Sequence, residues 1–318
     1  MTDNRTFLLL ISGNSSCEEE HILSFSFAKD AYTPYTALSV RLCAQTDSFP
    51  SPTEVKFFVM GHLVHHGIID STASEISGGK RILTLTSRGF TSLLCQNQIE
   101  PGLVTGVSIN SLMDSYYTLP YVTHEDNSDQ SSYIYVKNNS SMWDGIVNLS
   151  YKHYGTYPYI RGTNCVRITP FETPASFVHD NDNLISIGEK FSSKRLISHL
   201  HMADMGGEFG HYELESPDAA DLGIVRHIFF ELDKQFLNDP ADALVYRDKF
   251  ASRAFRQRFC VYKGYCGEDV SDIVSFDDVD SQRIAAVEIS GNHAMITTRL
   301  SVYYDKFPRD TETFQNQN

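Results

Sequence analysis

Three histidines early in the chain have a spacing that could ligate a metal ion. His62, His65 and His66 stand at i, i+3 and i+4, and on a helix these positions would converge on one ion. The flanking residues favour a strand instead, because Phe57–Val59 and Ile68–Ile69 are aromatic or β-branched and a glycine stands at each end of the motif. On a strand, His62 and His66 lie about 13 Å apart on one face, and His65 points to the other face. The sequence therefore predicts no metal site at this motif.

A second histidine pair, His199 and His201, is better placed for metal binding. Residues at i and i+2 of a strand project from one face only about 7 Å apart, and both lie in the predicted strand Ile197–Met202. A third ligand could come from His211 across the Gly206–Gly207 turn, but a two-residue turn places His211 on the opposite face unless a bulge shifts the register. Polar histidines on a solvated strand are the simpler interpretation. The alternative is a metal-dependent hydrolase that uses His199 and His201 with nearby carboxylates.

The sequence contains none of the short motifs that mark common catalytic sites. A nucleophile elbow, a phosphate-binding loop, a dinucleotide-binding glycine motif and a zinc-protease motif are all absent. The 17 tyrosines and 20 phenylalanines could stack sugars in a carbohydrate-binding module, but packing in cores and interfaces explains such aromatic content more often. We therefore predict that the protein is not an enzyme, and we assign no catalytic, cofactor-binding or metal-binding residue.

The composition is that of an ordinary folded protein with an acidic surface. The 318 residues are 41% apolar, and 26 basic against 40 acidic residues give a net charge of −14 that is dispersed along the chain. Such a surface repels phosphate, which argues against nucleic-acid binding but suits a wall along which DNA slides without sticking. The apolar run Phe7–Ile11 is too short for a membrane span, so no membrane insertion is expected. The six cysteines, including Cys260 and Cys266, are predicted to be reduced.

Hydrophobic periodicity divides the chain into four blocks of a mainly β, α+β protein. Helical spacing of apolar residues at Ser108–Tyr117 and Ser140–Tyr154 marks the second block, with a polar surface loop at His124–Ser132 between these helices. Asp239 is the predicted N-cap of a helix that opens the fourth block. The predicted divisions are a β-rich domain at 1–97, an inserted α/β domain at 98–168, a second inserted region with a hairpin at 169–238, and a linking helix with a second β domain at 239–318.

Two distant stretches repeat the same order of strands and turns. Val55–Ser87 contains predicted strands and a turn at Ser77–Gly79. Phe259–Tyr304 returns to this order, with turns at Gly264–Gly267 and Gly291–Asn292. A chain with two similar β units can present quasi-equivalent surfaces, so that an oligomer of low order matches a ring of higher symmetry. The alternative explanation is that any two antiparallel meanders share turn chemistry and alternation.

Five segments carry a resemblance to a known family. They are the strands, turn and helix of Gly61–Asn97, the helix that begins at Met142 (MWDGIVNLSYKHYG), the segment Ser193–His201 (SKRLISHLH), the basic passage Ser252–Tyr262, and the glycine turn Gly264–Asp269. In their order and spacing, these segments resemble the baseplate hub proteins of contractile-tailed bacteriophages, and the Mu-type hub in particular. The polar loop at His124–Ser132 and the hairpin at Gly206 match no feature of that family.

The resemblance implies two similar small β-barrel domains with inserted α/β domains between them. It implies a homotrimer that forms a pseudo-six-fold ring, joins the tail tube to the central spike and lets DNA pass without specific binding. The partners would be the tail tube protein, a spike protein made as a separate chain and other baseplate proteins, in a virion assembled in the bacterial cytoplasm. The family has no catalytic or cofactor residues to carry over. A hub of a related injection particle, a polysaccharide-acting or metal-dependent hydrolase and a carbohydrate-binding β module are the alternatives.

Overall fold

The protein adopts a mainly β, α+β fold, which confirms the class predicted from the sequence. The computed structural model describes residues 5–44, 51–115, 118–180, 182, 184–232, 240–292 and 294–304. The predicted N-cap Asp239 and the last residues of the predicted helix Ser108–Tyr117 lie outside the described residues. The division of the chain into four blocks stays a prediction.

The strands and helices follow one another in a simple order along the chain. The first half contains β1 (Phe7–Ser12), β2 (Ser15–Glu19), β3 (Ile22–Asp30), β4 (Ala37–Cys43), β5 (Glu54–Val59), β6 (His62–Ser77), β7 (Lys80–Gly89), a 3-10 turn (Phe90–Ser92), α1 (Leu93–Gln96), β8 (Gly102–Val107), α2 (Ile109–Ser115), β9 (Thr123–His124), β10 (Ser131–Val136) and α3 (Met142–Tyr154). The second half contains β11 (Tyr159–Arg161), β12 (Cys165–Arg167), β13 (Ser176–His179), β14 (Leu184–Phe191), a 3-10 turn (Ser193–Arg195), β15 (His199–Met202), β16 (Tyr212–Glu215), α4 (Pro217–Asp221), β17 (His227–Phe230), α5 (Pro240–Ser252), β18 (Arg256–Lys263), β19 (Ile273–Phe276), β20 (Val279–Arg283), β21 (Ala286–Gly291) and β22 (Ile296–Tyr303).

Eleven of the described strands form one antiparallel sheet in the order β14-β18-β22-β21-β3-β4-β7-β6-β5-β1-β2. The pairing of residues 286–291 in β21 with residues 25–30 in β3 joins the β-rich domain predicted at 1–97, hereafter the first β unit, to the second β unit. Apolar side chains of both units, such as Val40 and Leu300, pack into one shared core. In the described part of the chain the strands therefore do not close into two separate barrels, because the edge of β3 pairs with β21 and the sheet ends at β14 and β2.

Tight turns at the positions predicted from glycine join the strands of the first unit. Met60 and Gly61, between β5 and β6, have φ angles of 50° and 84°. Gly78 and Gly79, between β6 and β7, have φ angles of 58° and 73°. Positive φ at both central residues is the signature of the type I′ turn, whose twist matches that of a β-hairpin. The predicted run of strands from Val55 to Ser87 is confirmed as the β5-β6-β7 meander.

A second apolar core lies between the helices α2 and α3 and the paired strands β8 and β10. Trp143, Ile146 and Leu149 form the buried face of α3, as the helical spacing predicts. The helix begins after Ser141 and ends at Gly155, whose φ of 66° places it in the left-handed conformation common at helix ends. Both predicted helices of this block are present within a few residues of their predicted bounds.

The polar loop that precedes β10 is anchored at its first residues. Glu125 is 8% exposed, and its Oε1 accepts hydrogen bonds from the backbone nitrogens of Ile168 and Thr169, both at 3.0 Å. Its Oε2 also pairs with the Arg167 guanidinium at 2.9 Å. The expectation of a surface loop at His124–Ser132 is therefore wrong at Glu125, because several donors compensate the burial of this carboxylate.

Replacing Ser141 with alanine is expected to lower the free energy of unfolding by about 1 kcal/mol. The Ser141 hydroxyl accepts a hydrogen bond from the Asp144 nitrogen at 3.1 Å, and the Asp144 carboxylate accepts one from the Ser141 nitrogen at 2.8 Å, which together form a capping box. Urea unfolding followed by circular dichroism measures the change. The neighbouring variant Ser140→Ala is the control, and an equal loss in both variants would contradict the role of the cap.

A small three-stranded sheet in the order β16-β15-β17 packs against α5. β15 pairs with β16 in the antiparallel sense and with β17 in the parallel sense. One face of the sheet carries Leu200, Met202 and Leu214, which contact Ala243 and Leu244 of α5. The alternate residues of the same strands therefore point to the opposite face of the sheet.

Candidate histidine sites and the junction of the two β units

His65 lies in the core of the large sheet and is held by two hydroxyl groups. Its Nδ1 is 2.7 Å from the Thr36 hydroxyl, and its Nε2 is 2.8 Å from the Ser87 hydroxyl. The residue is 0% exposed. Burial lowers the pKa of His65 to about 3, because removal from water disfavours the charged ring, and the neighbouring His66 adds to this effect. His65 is therefore a neutral core residue.

His62 and His66 contact different residues from each other and from His65. His62 contacts the Tyr265 ring at 5.5 Å between centroids, which joins a turn of the first β unit to a turn of the second. His66 Nε2 is 2.8 Å from the Glu54 carboxylate, and its ring also contacts Phe90. The strand prediction for this motif is confirmed. Its three rings have three separate sets of partners.

His199 and His201 share one face of the small sheet, as predicted, and their third neighbour is His227. His227 lies directly opposite His199 on the parallel strand β17. His211, which the sequence offers as a third ligand, lies outside β16, and its Nδ1 is 2.8 Å from the Asp204 carboxylate. After β16 the chain crosses to the other edge of β15, where β17 pairs with β15 in the parallel sense and brings in a histidine that hairpin counting does not consider.

The imidazole rings on this face form a nearly parallel stack. The ring centroids of His199 and His227 are 4.1 Å apart, and those of His201 and His227 are 5.4 Å apart, with 10° between the ring planes in each pair. Phe229 continues the stack at 4.4 Å from His201 and is 60% exposed. Glu213 and Glu215 of β16 flank the rings. Within the described ranges, no three His, Cys, Asp or Glu side chains are arranged to hold a metal ion.

A buried ion-pair cluster connects the first β unit, the second block and the turn that follows β18. Lys29, on the core face of β3, pairs with the Asp269 carboxylate and donates to the Gly162 carbonyl at 2.6 Å. Arg161 donates to Asp272 at 2.8 Å, and the side chain of Asp272 is 1% exposed. Burial lowers the pKa of Lys29, and the charge of Asp269 opposes this shift. The cluster fixes the second block against the junction of the two units.

A second buried carboxylate orders the glycine turn at the start of the second unit. The side chain of Glu268 is fully buried, accepts a hydrogen bond from the Tyr262 hydroxyl and lies 3.1 Å from His179 Nε2. Its other oxygen accepts a hydrogen bond from the Cys266 nitrogen at 3.0 Å. Burial alone would raise the pKa of Glu268, but hydrogen bonds from His179 and Tyr262 lower it overall. Glu268 therefore stabilises the turn as a buried, ionised group.

Burial raises the pKa of four of the six cysteine thiols, which is the opposite of what activates a nucleophile. Burial raises the pKa of Cys95 to about 11 and that of Cys260 to about 12. Thiols with such pKa values stay protonated at neutral pH, whereas reactive cysteines have lowered values. All six cysteines are free thiols. Cys260 is buried in β18 and Cys266 is exposed in the following turn, and they do not form a disulfide.

Structural comparison finds similar proteins over almost the full length of the chain, and two of them are phage tail proteins. A tail protein from Neisseria meningitidis MC58 superposes with a TM-score of 0.71 at 12% identity, covering 96% of this chain and 99% of that protein. The 43 kDa tail protein of prophage MuSo2 from Shewanella oneidensis gives a TM-score of 0.67 at 13% identity, over 96% of this chain and 100% of that protein. The chain has the fold of these phage tail proteins. The resemblance to a Mu-type tail protein, predicted from the sequence, is confirmed for the fold.

A secretion-system component also has a similar fold. The E. coli c3393 protein, a component of the type VI secretion system described as similar to the bacteriophage T4 tail proteins gp27 and gp5, gives a TM-score of 0.57 at 8% identity over 96% of this chain and 79% of that protein. No protein-family profile and no curated protein sequence matches the chain. Among the described residues, no helix of this tail-protein fold is both long and apolar enough to cross a membrane.

Sequence reasoning did not identify the buried ion-pair cluster at the junction of the two β units. Lys29 follows Phe25 and Phe27 at alternate positions of β3, so the alternation places its amine on the core face. That pattern is a usable signal for a buried lysine, and a buried lysine requires a carboxylate partner. Nothing in the local sequence around Asp269 or Asp272 identifies which carboxylate that is.

Proposed function

We propose that this chain is a structural baseplate hub protein of a phage or phage-like contractile tail. The observation that carries the proposal is the fold, which spans 96% of the chain and 99–100% of two phage tail proteins. Because the match covers nearly the whole of both proteins, they share the order of sheets, insertions and helices. The similarity is not limited to one small domain. The c3393 protein extends the same fold to a contractile secretion apparatus. The protein would act in the virion, at the baseplate of the tail.

Within this proposal, three copies form a homotrimeric ring with pseudo-six-fold symmetry. Each chain would supply the two similar β units that the sequence predicts, and the ring would present them alternately around its axis. The β3 and β21 pair that joins the units within one chain supports this arrangement, because it fixes them as neighbours in one sheet. One face of such a ring fits a six-fold tail tube, and the other fits a three-fold spike.

The ring would surround a channel through which DNA passes. The net charge of −14 supports passage without specific binding, because dispersed carboxylates repel the phosphate backbone. We propose no enzymatic role, no cofactor and no nucleic-acid recognition site for this protein. The tail tube protein, the spike protein and other baseplate proteins are the proposed partners.

The mass of the protein in solution tests this proposal most directly. Light scattering during size-exclusion chromatography, at several concentrations, is expected to give a species of three times the 35.9 kDa chain mass. Negative-stain imaging of that species should give rings with a central opening and pseudo-six-fold features. A chain that stays monomeric alone, and also when co-expressed with the tail tube and spike proteins of its own genome, would contradict the hub proposal. A monomer that binds a glycan would favour the carbohydrate-binding alternative.

A further inference from the structure

Large apolar side chains lie exposed along one side of the small sheet, on the face turned away from α5. Phe229 alternates with His227 along β17 and is 60% exposed. Val225, two residues before His227, is 80% exposed. Phe209, from the loop between β15 and β16, contacts the Phe229 ring at 5.2 Å between centroids. Adjacent apolar side chains left in water mark a surface that binds another molecule.

The histidine rings form a fixed packing surface in the middle of this face. His201 Nδ1 donates to the Glu213 carboxylate at 2.9 Å, so His201 Nε2 accepts from His227 Nδ1 at 3.1 Å. His199 Nδ1 lies 2.9 Å from the Ser198 hydroxyl. Both nitrogens of His201 are therefore used within the protein, and the rings offer a partner a rigid surface on which to pack.

The loop between β15 and β16 is fixed by the carboxylate of Asp204. Its Oδ1 accepts hydrogen bonds from the Gly206 nitrogen at 2.8 Å and the Glu208 nitrogen at 3.0 Å. Its Oδ2 lies 2.8 Å from His211 Nδ1. Met205, in the same loop, is 90% exposed. The loop thus holds apolar side chains in solvent in one backbone conformation, which reduces the entropy lost when a partner covers them.

Carboxylates border the face on its other side. Glu213 and Glu215 of β16 stand opposite His201 and His199 of β15, and their side chains are 55% and 66% exposed. Residues 199–232 contain seven acidic residues and one basic residue, so these 34 residues carry −6 of the net charge of −14. A surface that is apolar on one side and acidic on the other is complementary to a partner that is both apolar and basic.

The width of the face matches one α-helix. Neighbouring strands are about 4.8 Å apart, so the carboxylates of β16 and the aromatic ring of β17 are about 10 Å apart across β15. A helix with its side chains is about 10–12 Å in diameter. A helix laid along the strands places an apolar stripe over Phe229 and basic side chains over Glu213. We propose that this face binds an amphipathic, basic helix of another protein of the tail.

A second copy of this chain does not supply that helix. The apolar residues of α2 and α3 belong to the second core, and those of α5 contact the small sheet and the same core. Two copies of the chain also carry the same negative charge. The partner is therefore a different protein. The proposed hub function enters only in saying where that protein is found, because the surface follows from the residues themselves.

Fluorescence anisotropy of the full-length protein with three labelled synthetic peptides tests the surface. The first peptide is a leucine and lysine helix with one apolar stripe flanked by lysines. The second has glutamate in place of every lysine, and the third has the composition of the first in an order that breaks the stripe. We expect the first peptide to bind, the third to bind about 10-fold more weakly, and the second not to bind, because the face requires both the stripe and the positive charge.

Variants of the face locate the binding. Phe229→Ser should weaken binding of the first peptide by about 10-fold or more, because a central aromatic side chain carries a large share of the binding energy. Glu213→Gln combined with Glu215→Gln should also weaken it, and the remaining binding should depend less on salt. Circular dichroism checks that each variant is folded. Val225→Ser, at a more exposed side chain, keeps the test valid if Phe229→Ser is not folded.

Ile76→Ser and Glu75→Gln are the matched controls. They remove an apolar side chain that is 83% exposed and a carboxylate side chain that is 60% exposed, both on β6 of the large sheet. Both variants should bind the first peptide as the unmodified protein does. Equal binding of the glutamate peptide, full binding by Phe229→Ser and Val225→Ser, or an equal loss in the controls would overturn the proposal. A trimer that binds no peptide would overturn this inference alone, and a persistent monomer that binds the first peptide would count only against the hub.

Discussion

Replacing Asp269 with alanine is expected to lower the free energy of unfolding by about 3–5 kcal/mol. The substitution leaves the ammonium group of Lys29 buried, with only 5% of its side chain exposed and its ionic partner removed. It also removes the acceptor for the Gly162 nitrogen, which donates to Asp269 at 2.7 Å. The interior cannot solvate an unpaired cation, so this loss exceeds the Coulomb energy of the pair itself. Urea unfolding monitored by tryptophan fluorescence and circular dichroism measures it.

Two further variants separate this explanation from a general loss of packing. Lys29→Met combined with Asp269→Ala should recover a large part of the lost stability, because no unpaired charge then remains in the interior. Glu75→Ala removes the partner of Arg41 in an exposed pair of comparable length, 2.8 Å, with side chains 50% and 60% exposed. It should change stability by less than about 1 kcal/mol. If the double variant is as unstable as Asp269→Ala alone, the buried lysine is not the cause.

The stability of the protein is expected to fall as the pH drops below 6.5, and His65 should cause much of that fall. The pKa of His65 is about 3 in the folded protein and 6.5 in the unfolded chain. Between these values the unfolded chain binds the proton and the folded protein does not, so acidification favours unfolding. The stability is fully present above pH 6.5 and decreases by about 1.4 kcal/mol per pH unit towards pH 3. This amounts to about 3 kcal/mol between pH 6.5 and 4.5.

Comparison with a non-titrating variant isolates this contribution. His65→Gln keeps groups that hydrogen-bond with the hydroxyls of Thr36 and Ser87 but cannot take up a proton in this range. Its stability should depend less steeply on pH between 6.5 and 4.5 than that of the unmodified protein. His211→Gln, at a side chain that is 71% exposed, should retain the original dependence. Parallel curves for the unmodified protein and His65→Gln would disprove the assignment.

Local patterns were sufficient to predict the first β unit. Alternating apolar residues and the glycine turns at Gly61 and Ser77–Gly79 place β5, β6 and β7 within a few residues of their observed bounds. The same local reasoning indicates that His62, His65 and His66 lie on a strand and not on a helix, because β-branched and aromatic flanks decide that choice. These features depend on neighbours in the sequence, which is why they can be read from it.

The pairing of strands that are distant in the sequence could not be predicted from local patterns. On one edge β3 pairs with β21, near the other end of the chain, and no local signal favours β21 over a strand that would close a separate barrel. The identity of His227 as the third histidine depends on the parallel pairing of β17 with β15, whereas hairpin counting from His201 leads to His211. Both errors concern which distant strands pair with each other. The secondary structure of each segment was not the difficulty.

The pairing of β3 with β21 also governs when the protein can finish folding during its synthesis. The ribosome completes β3 more than 250 residues before β21 emerges, so one edge of the N-terminal sheet stays without its final partner for most of translation. Contacts of such sequence separation slow folding, and an open strand edge invites association with other chains. The last strands thus complete the sheet that the first strands begin, and a nascent or truncated chain would depend on chaperones until they arrive.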